Sequence, residues 1–236
     1  MAEPTSRIGQ AYTDRVEVRG RDLTGDLMGR LTFTEYFHLL LTGEEPSDDQ
    51  RFFLDLLLVS IAEHGMMPTN VAARMTLAAD PASLHGAVAA GILGAGPVVL
   101  GTAEECARLL AEGGEPAEIV RRYRDAGMKV PGFGHPVHTP VDPRAERILE
   151  LADARGVSGA NVALARAIRD ELARVMNVSM PIAAVMLDLG FSVAAVKAVP
   201  ILARTAGLLA HLVEEQDHPV GFLLARAAEE AIEYER

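Results

Sequence analysis

Residues 128–145 read MKVPGFGHPVHTPVDPRA, and this stretch interrupts a sequence that is otherwise helical in pattern. Prolines and glycines recur in it at intervals too short for a regular helix or strand, which predicts an irregular loop of fixed shape. Asp142 followed by Pro143 is typical of an N-cap and a first helical position. The loop therefore ends in the first turn of a helix that we predict over 144–154.

Outside this loop the pattern predicts an all-α fold. Apolar residues recur at spacings of three and four, and strand patterns are nearly absent, so we expect about ten or eleven helices. No flexible linker or internal repeat divides the chain, so a second domain would have to be inserted into the first. The eleven predicted helices lie at about 33–41, 47–61, 69–79, 83–93, 102–112, 116–126, 144–154, 159–175, 181–189, 200–215 and 222–234, with a further short helical segment at 193–196.

The composition is that of a folded, acidic protein. The 236 residues are 49% hydrophobic and 23% charged, and the formal net charge is -11. An acidic surface repels a phosphate backbone, which argues against nucleic-acid binding. The single cysteine, Cys106, excludes an intramolecular disulfide framework and a multi-cysteine zinc site, and we expect no metal.

Neither a secretory signal nor a membrane span is predicted. The first residues lack a basic patch followed by an apolar stretch. Residues 81–103 carry no Asp, Glu, Lys or Arg, but glycines and a proline interrupt them, so we interpret them as buried, closely packed backbone. We therefore expect a cytoplasmic protein that does not associate with membranes.

The loop also contains the most informative pair of polar side chains. His135 stands between a glycine and a proline, and Arg144 follows nine residues later in the first turn of the predicted helix. An imidazole beside a guanidinium suits a carboxylate with an adjacent oxygen that gains or loses a proton. The alternative interpretation is a turn histidine and a surface arginine without a common function.

Residues 131–135 and 142–145 resemble the signature loop of the citrate synthase superfamily. The resemblance covers nearly the whole chain, since residues 16–23 and 32–46, the Glu63-His64-Gly65 tripeptide and residues 203–211 match other family segments in the same order. It implies a citrate synthase-like homodimer. Its large helical domain would comprise residues 1–103 and 176–236, and a small inserted helical domain would comprise residues 104–175.

The resemblance also implies a site for a coenzyme A thioester and a di- or tricarboxylate. His135 would act on the hydroxyl or carbonyl of the keto acid, as a base in the cleavage direction, with Ser179 as the second catalytic residue. The residues expected to bind the carboxylate substrate are His64, Arg144, Arg204 and His218. Those expected beside coenzyme A are Lys129, Gly132, Phe133 and Gly134. The sequence assigns no role to His138.

Two groups that the family uses on the acetyl side are replaced here. A Gly-Pro-Leu-His-Gly-Gly pattern should supply a first histidine, but residues 96–101 read GPVVLG, with Val99 at or beside its place. His85, in a similar local sequence, precedes this step and is interpreted as unrelated. An Asn-Val-Asp run should supply the aspartate, but residues 177–179 read Asn-Val-Ser, so Ser179 stands in its place. A hydroxyl can hold a water or a hydrogen bond but cannot alone act as a base near neutral pH.

Loss of the first histidine, the short length and an ending of Asp217-His218-Pro219 instead of the family's Arg-Pro look more like the citryl-CoA lyase branch, which includes the lyase domain of ATP-citrate lyase. That branch normally keeps the aspartate, so Ser179 departs from its pattern as well. Three hypotheses follow. The protein cleaves a related 3-hydroxy-3-carboxyacyl thioester, or it is a slow citryl-CoA lyase in which a water on Ser179 returns the proton. In the third, it is a noncatalytic relative that binds a CoA thioester or a polycarboxylate. A citrate synthase-type condensation is a further alternative.

Overall fold

The computed structural model describes residues 5–96, 99–135 and 137–235, and within these the chain is mostly helical. The predicted all-α fold is confirmed. The helices are α1 (Phe33–Thr42), α2 (Asp48–Ala62), α3 (Pro68–Ala79), α4 (Leu84–Leu93), α5 (Thr102–Glu112), α6 (Pro116–Asp125), α7 (Pro143–Ala154), α8 (Ala160–Leu172), α9 (Ser179–Asp188), α10 (Val193–Asp217) and α11 (Gly221–Ala231).

A small antiparallel sheet near the N-terminus was not predicted. Strands β1 (Gly9–Ala11), β2 (Val16–Val18) and β3 (Arg21–Asp22) pair in the order β1-β2-β3 and lead into a π-helical turn, Leu23–Leu27. Arg19 and Gly20 both have positive φ in the two-residue turn between β2 and β3. Strands of two or three residues are too short to show an alternating pattern, which explains the omission.

The predicted break before Pro200 is wrong, because α10 runs without interruption through this proline. Proline cannot donate the N–H that a helix needs at this position. The helix nevertheless continues, since Val196, Val199, Pro200 and Ala203 are all buried. Burial of this face outweighs the lost hydrogen bond, and one long helix carries Arg204 into the core.

Among the described residues, α10 alone has the length and apolar composition of a membrane span. Of its apolar window, 44% is buried against the rest of the protein. Core helices of globular proteins meet the same criteria, so this feature is weak evidence for membrane insertion.

The chain forms two compact units, Met1–Leu56 and Leu57–Arg236. The first contains the small sheet, the π-helical turn and α1, around a core of Val18, Leu27 and Leu39. In the second, α9 is central: residues 180–186 are all buried, and the helix contacts α5, α7, α8 and α10. The predicted division into residues 1–103 with 176–236 and 104–175 stays a prediction.

Asp188, at the end of α9, caps the beginning of α8. Its carboxylate accepts hydrogen bonds from the backbone N–H groups of Gly159, Asn161 and Val162, at 2.8, 3.0 and 3.0 Å, and from the Asn161 side chain at 2.8 Å. These contacts satisfy N–H groups that a helix cannot pair internally. Asp188 is therefore a structural residue joining two helices.

We expect Asp188→Ala to lower the free energy of unfolding by about 2 kcal/mol, because a cap and several partly buried hydrogen bonds are lost together. Urea denaturation measures this directly. Asp170→Ala, on the exposed side of α8, is the matched control and should change stability by less than about 0.5 kcal/mol. Equal effects of the two variants would contradict the capping role.

Candidate active site

Three histidines form a cluster in the second unit. His64 follows α2, while His135 and His138 belong to the loop between α6 and α7. The Nε2 atoms of His64 and His138 are 3.3 Å apart, and the ring centroids of His135 and His138 are 4.3 Å apart. The His64 and His135 centroids are separated by 5.7 Å. The structure thus brings together the two histidines named from the sequence and adds His138, which the sequence did not single out.

The hydrogen bonds of His135 determine its tautomer. Its Nδ1 accepts the backbone N–H groups of Val137, at 3.1 Å, and His138, at 2.9 Å. A neutral imidazole carries one proton, which must therefore be on Nε2. The pKa of His135 is lowered, first by burial and then by His138. At neutral pH this ring is a hydrogen-bond donor through Nε2, which favours a donor role over the predicted role as base.

Asp142 holds Arg144 at the edge of the cluster. The Asp142 carboxylate is fully buried and accepts hydrogen bonds from Arg144 Nε at 3.0 Å and Nη2 at 2.9 Å. It also accepts the N–H of Val178 at 3.1 Å. Burial opposes ionisation of Asp142, but these hydrogen bonds outweigh it and keep its pKa below the usual value. Arg144 Nη2 is fixed 3.5 Å from His135 Nε2.

Arg204, on α10, is the second cation of the site. Its side chain is 3% exposed, and it donates to Asn70 Oδ1 and to the Ile61 carbonyl, both at 3.3 Å. Its Nε is buried without a hydrogen-bond partner, and no salt bridge to a carboxylate forms within the described parts of the chain. Burial lowers the pKa of Arg204. Glu63 acts on this cation only at longer range. A buried guanidinium that forms no salt bridge and keeps one unpaired N–H favours the binding of an anion.

A second layer of polar side chains fixes the segment around His64. His211 Nδ1 accepts from Arg74 Nε at 2.9 Å, and His211 Nε2 lies 2.9 Å from Glu63 Oε2. Asn70 donates to the Gly65 carbonyl at 2.6 Å and contacts His211 Nε2 at 2.7 Å. These contacts hold the residues on both sides of His64 against α3 and α10.

Ser179 begins α9, and its turn is hydrogen-bonded to the signature loop. The Ser179 N–H lies 3.1 Å from Asn177 Oδ1. Asn177 in turn contacts the Gly132 carbonyl through its N–H at 2.9 Å and the Gly134 carbonyl through its side chain at 3.0 Å. Gly132 has a φ of 82°, and a Cβ there would lie 2.7 Å from Cys106 Sγ, so only glycine fits.

The residues expected beside coenzyme A lie near a cleft of about 430 Å³. Lys129 and Phe133 line it together with Arg124 and Arg174. Gly132 and Gly134 belong to the adjoining loop. Its lining thus combines three cationic side chains, the carboxylate of Glu171 and one aromatic ring, with an excess of positive charge.

His218 is not part of the cluster. It lies at the C-terminal end of α10, is exposed, and donates its backbone N–H to the Glu214 carbonyl at 2.7 Å. Among the described residues, no hydrogen bond or ring contact joins it to the histidines. Its substrate-binding role stays a prediction.

His85, which the sequence analysis interprets as unrelated to the site, is exposed on α4. Pro97 and Val98, in the altered 96–101 segment, lie outside the described residues.

The three clustered histidines are close enough together that their spacing alone would allow them to bind a metal ion. One nitrogen from each ring lies within 4.8 Å of the others. A metal binds through a nitrogen lone pair, but the lone pair of His135 Nδ1 already accepts two backbone N–H groups, so Nε2 carries the proton. The trio therefore does not fit a three-histidine metal site in this arrangement.

In this mostly helical unit, three imidazoles lie together with the guanidinium groups of Arg144 and Arg204 near His64, a combination of groups that suits an anion. The chain belongs to the citrate synthase family: the family model described as Citrate synthase, C-terminal domain, matches residues 8–226. The resemblance predicted from the sequence is confirmed. Citrate synthase from Haloferax volcanii is 28% identical over 194 residues, which are 77% of this chain and 51% of that protein. The chain thus spans about half the length of the curated relatives it matches.

Solved structures resemble the chain over its whole length. Citryl-CoA lyase from Hydrogenobacter thermophilus has a TM-score of 0.89 and 29% sequence identity, covering 100% of this chain and 95% of that one. ATP citrate lyase from Methanothrix soehngenii, in complex with citrate and coenzyme A, has a TM-score of 0.82 at 19% identity, covering 100% of this chain and 42% of that one. The second likeness shows the fold alone.

Proposed function

We propose that this protein cleaves a carbon–carbon bond of a 3-hydroxy-3-carboxyacyl-CoA thioester, citryl-CoA or a close relative, to give a 2-keto acid and a shorter acyl-CoA. The observation that carries this proposal is Arg204, a buried guanidinium whose Nε has no partner in the described part of the chain. A substrate carboxylate would supply that partner through a charge-assisted hydrogen bond. The positive charge of Arg204 also helps to lower the pKa of His64, so the anion site and the histidine cluster are near enough to interact.

The whole-chain similarity to a citryl-CoA lyase supports cleavage over condensation. That lyase and this chain cover each other almost completely, whereas the Haloferax citrate synthase is covered over only 51% of its length. A citrate synthase-type condensation is therefore the less supported direction.

In the proposed reaction the tertiary hydroxyl loses its proton and the oxygen becomes the ketone of the keto acid. The adjacent carbon–carbon bond breaks, and its electron pair passes to the thioester as an enolate. The enolate carbon then takes a proton, so the reaction consumes no water or redox cofactor. Arg144 and Arg204 bind the carboxylates, and the Nε2–H of His135 donates to the substrate oxygen.

Coenzyme A is proposed to lie along the cleft beside the signature loop. The cations of Arg124, Lys129 and Arg174 suit its phosphates, although the protein as a whole carries a net charge of -11. Gly132, Phe133 and Gly134 would form the wall next to the thioester. We further propose a cytoplasmic homodimer, and light scattering of the purified protein tests the dimer.

A noncatalytic relative that binds a thioester or polycarboxylate is the second candidate, and Ser179 is the observation that favours it. A serine at this position does not ionise near neutral pH. The proton that the enolate carbon takes up must therefore come from another group, or the reaction does not occur. In the lyase hypothesis a water held by Ser179 would return it.

Replacing Ser179 with aspartate tests whether only this carboxylate limits the rate. We expect Ser179→Asp to raise kcat for (3S)-citryl-CoA by about tenfold or more, within the range of acid–base catalysis. Ser179→Asn is the matched control, because the asparagine side chain is nearly the same size as that of aspartate but does not titrate. No gain in the aspartate variant would mean that the acetyl side of the pocket serves a different acyl group.

Thermal melts against coenzyme A, citrate, oxaloacetate and (3S)-citryl-CoA test the proposed function first. A ligand at one hundred times its dissociation constant should add about 2.7 kcal/mol to the free energy of unfolding, which a melt detects. We expect citrate and coenzyme A each to raise the melting temperature. In a separate assay, we expect the protein to consume (3S)-citryl-CoA. Shifts without consumption would support the noncatalytic candidate, and no shift with any of the four would contradict both.

A further inference from the structure

The proposed cleavage needs a proton acceptor for the substrate hydroxyl, and most side chains of the pocket are already committed. His135 presents an N–H to the cluster, because its Nδ1 lone pair accepts two backbone N–H groups. Asp142 is fully buried and hydrogen-bonded through both oxygens to Arg144 and Val178. Glu63 is turned to His211 and to the Gly65 N–H.

His64 and His138 face each other with their Nε2 atoms 3.3 Å apart. When both rings are neutral, one Nε2 donates its hydrogen and the other accepts it through its lone pair. The gap of 3.3 Å is too small for an oxygen atom, so a substrate hydroxyl has to replace this direct contact and move the two rings apart. The hydroxyl then meets one donor and one acceptor. It can receive the N–H of one ring and give its own proton to the other, which is what deprotonation of an alcohol requires.

The surrounding charges distinguish the two rings. The pKa of His64 is lowered, first by burial and then by Arg144, His138 and Arg204, while Asp142 opposes the shift. Two guanidinium groups therefore disfavour a proton on His64. His138 is positioned by its own backbone N–H, which donates to His135 Nδ1 at 2.9 Å. Its ring lies beside that of His135, with an interplanar angle of 33°.

We propose that His138 is the general base of this site, accepting the hydroxyl proton of the substrate while His64 donates a hydrogen bond to the same oxygen. The inference rests on the proposed function. In the step, the O–H bond breaks and its proton moves to His138 Nε2, the oxygen forms the carbonyl, and the electron pair of the broken carbon–carbon bond goes to the thioester enolate. Protonation of the enolate carbon balances the reaction, and His138 returns to its neutral form.

A second consequence concerns binding alone. A bound carboxylate places negative charge beside the guanidinium groups that disfavour a proton on His64. In the proposal it therefore favours transfer of a proton to the paired imidazoles of His64 and His138. Binding of citrate near pH 7 should therefore be accompanied by proton uptake, which calorimetry in buffers of different ionisation enthalpy measures.

The test compares the wild type, His138→Gln and His85→Gln. Glutamine keeps a hydrogen-bonding group near the Nε2 position but cannot accept a proton, and His85 is an exposed histidine away from the cluster. We expect His138→Gln to lower kcat for (3S)-citryl-CoA by about 100-fold or more, to remove the loss of kcat at low pH, and to leave KM within about threefold. His85→Gln should match the wild type. His138→Asn is a second variant that cannot accept a proton, and it should show the same loss of kcat. A melting temperature near that of the wild type shows that each variant is folded.

The outcomes separate this inference from the proposed function. If the wild type cleaves the thioester and His138→Gln keeps its kcat and pH profile, His138 is not the base. If chelation by EDTA abolishes wild-type cleavage, the histidines hold a metal and the inference is wrong. If the wild type binds citrate without cleaving the thioester, the proposed function fails. Proton uptake that persists in His138→Gln then also overturns the proton-accepting role.

Discussion

An Arg204→Gln variant should bind citrate about 100-fold more weakly than the wild type, or worse. The guanidinium is 3% exposed, and its Nε has no partner in the described parts of the chain. A carboxylate reaching it is shielded from water, where a charge-assisted hydrogen bond is strongest. Isothermal titration calorimetry with citrate measures the loss.

The stability of this variant separates a binding role from a structural one. An arginine buried to satisfy the core would lower the melting temperature when replaced. We expect the ligand-free melting temperature of Arg204→Gln to be unchanged or higher, because a buried charge without a carboxylate partner is removed. Arg226→Gln, at an exposed position of α11, is the control. Unchanged citrate affinity in Arg204→Gln would contradict the assignment of the anion site.

The His135→Ala variant should lose about 10²–10³-fold in kcat, the usual effect of removing one donor to a developing oxyanion. Binding of coenzyme A should stay within a few fold, since the ring faces the histidine cluster. The pH profile of kcat should keep its shape, because His135 is held neutral by two backbone N–H groups and acts as a donor. Steady-state kinetics between about pH 6 and 9 provide the measurement.

This expectation is the opposite of that for His138, whose replacement should change the shape of the profile. A His135→Ala variant that loses the decline of kcat at low pH would show that His135, and not His138, takes the proton. Retention of wild-type kcat would remove His135 from the reaction altogether. His85→Ala again serves as the control for loss of a histidine outside the pocket.

The extent to which the sequence predicted the site depends on the kind of segment. Asp142 and Pro143 have a local meaning as an N-cap and a first helical residue, so the position of Arg144 could be predicted. The buried carboxylate of Asp142 also accepts the N–H of Val178, which is 36 residues away in sequence. No local pattern encodes that contact, because it depends on how α7 packs against α9.

His138 was missed for a related reason. In a helix, spacing assigns a side chain to a face, but an irregular loop has no period from which its direction can be read. The loop returns His138 to His64, 74 residues earlier, and only the folded chain shows this. The only available signal was a second histidine three residues after the first, and such a spacing has no fixed meaning outside a helix.

The helix boundaries were predicted well where capping residues mark them and poorly where packing decides. α1 begins with a Thr32–Glu35 capping box and ends at Gly43, as the sequence indicates. α10 passes through Pro200 because its buried face outweighs one missing hydrogen bond, and tertiary packing of this kind is invisible to local propensity.

The most direct test of the account is cleavage of (3S)-citryl-CoA by the wild-type protein in D₂O, with mass analysis of both products. Breaking the carbon–carbon bond leaves an enolate that must take one hydron at carbon. The account predicts oxaloacetate and acetyl-CoA in equal amounts, with a single deuterium in the acetyl group. An intact thioester would contradict citryl-CoA as the substrate, and release of citrate and coenzyme A by simple hydrolysis would contradict carbon–carbon cleavage.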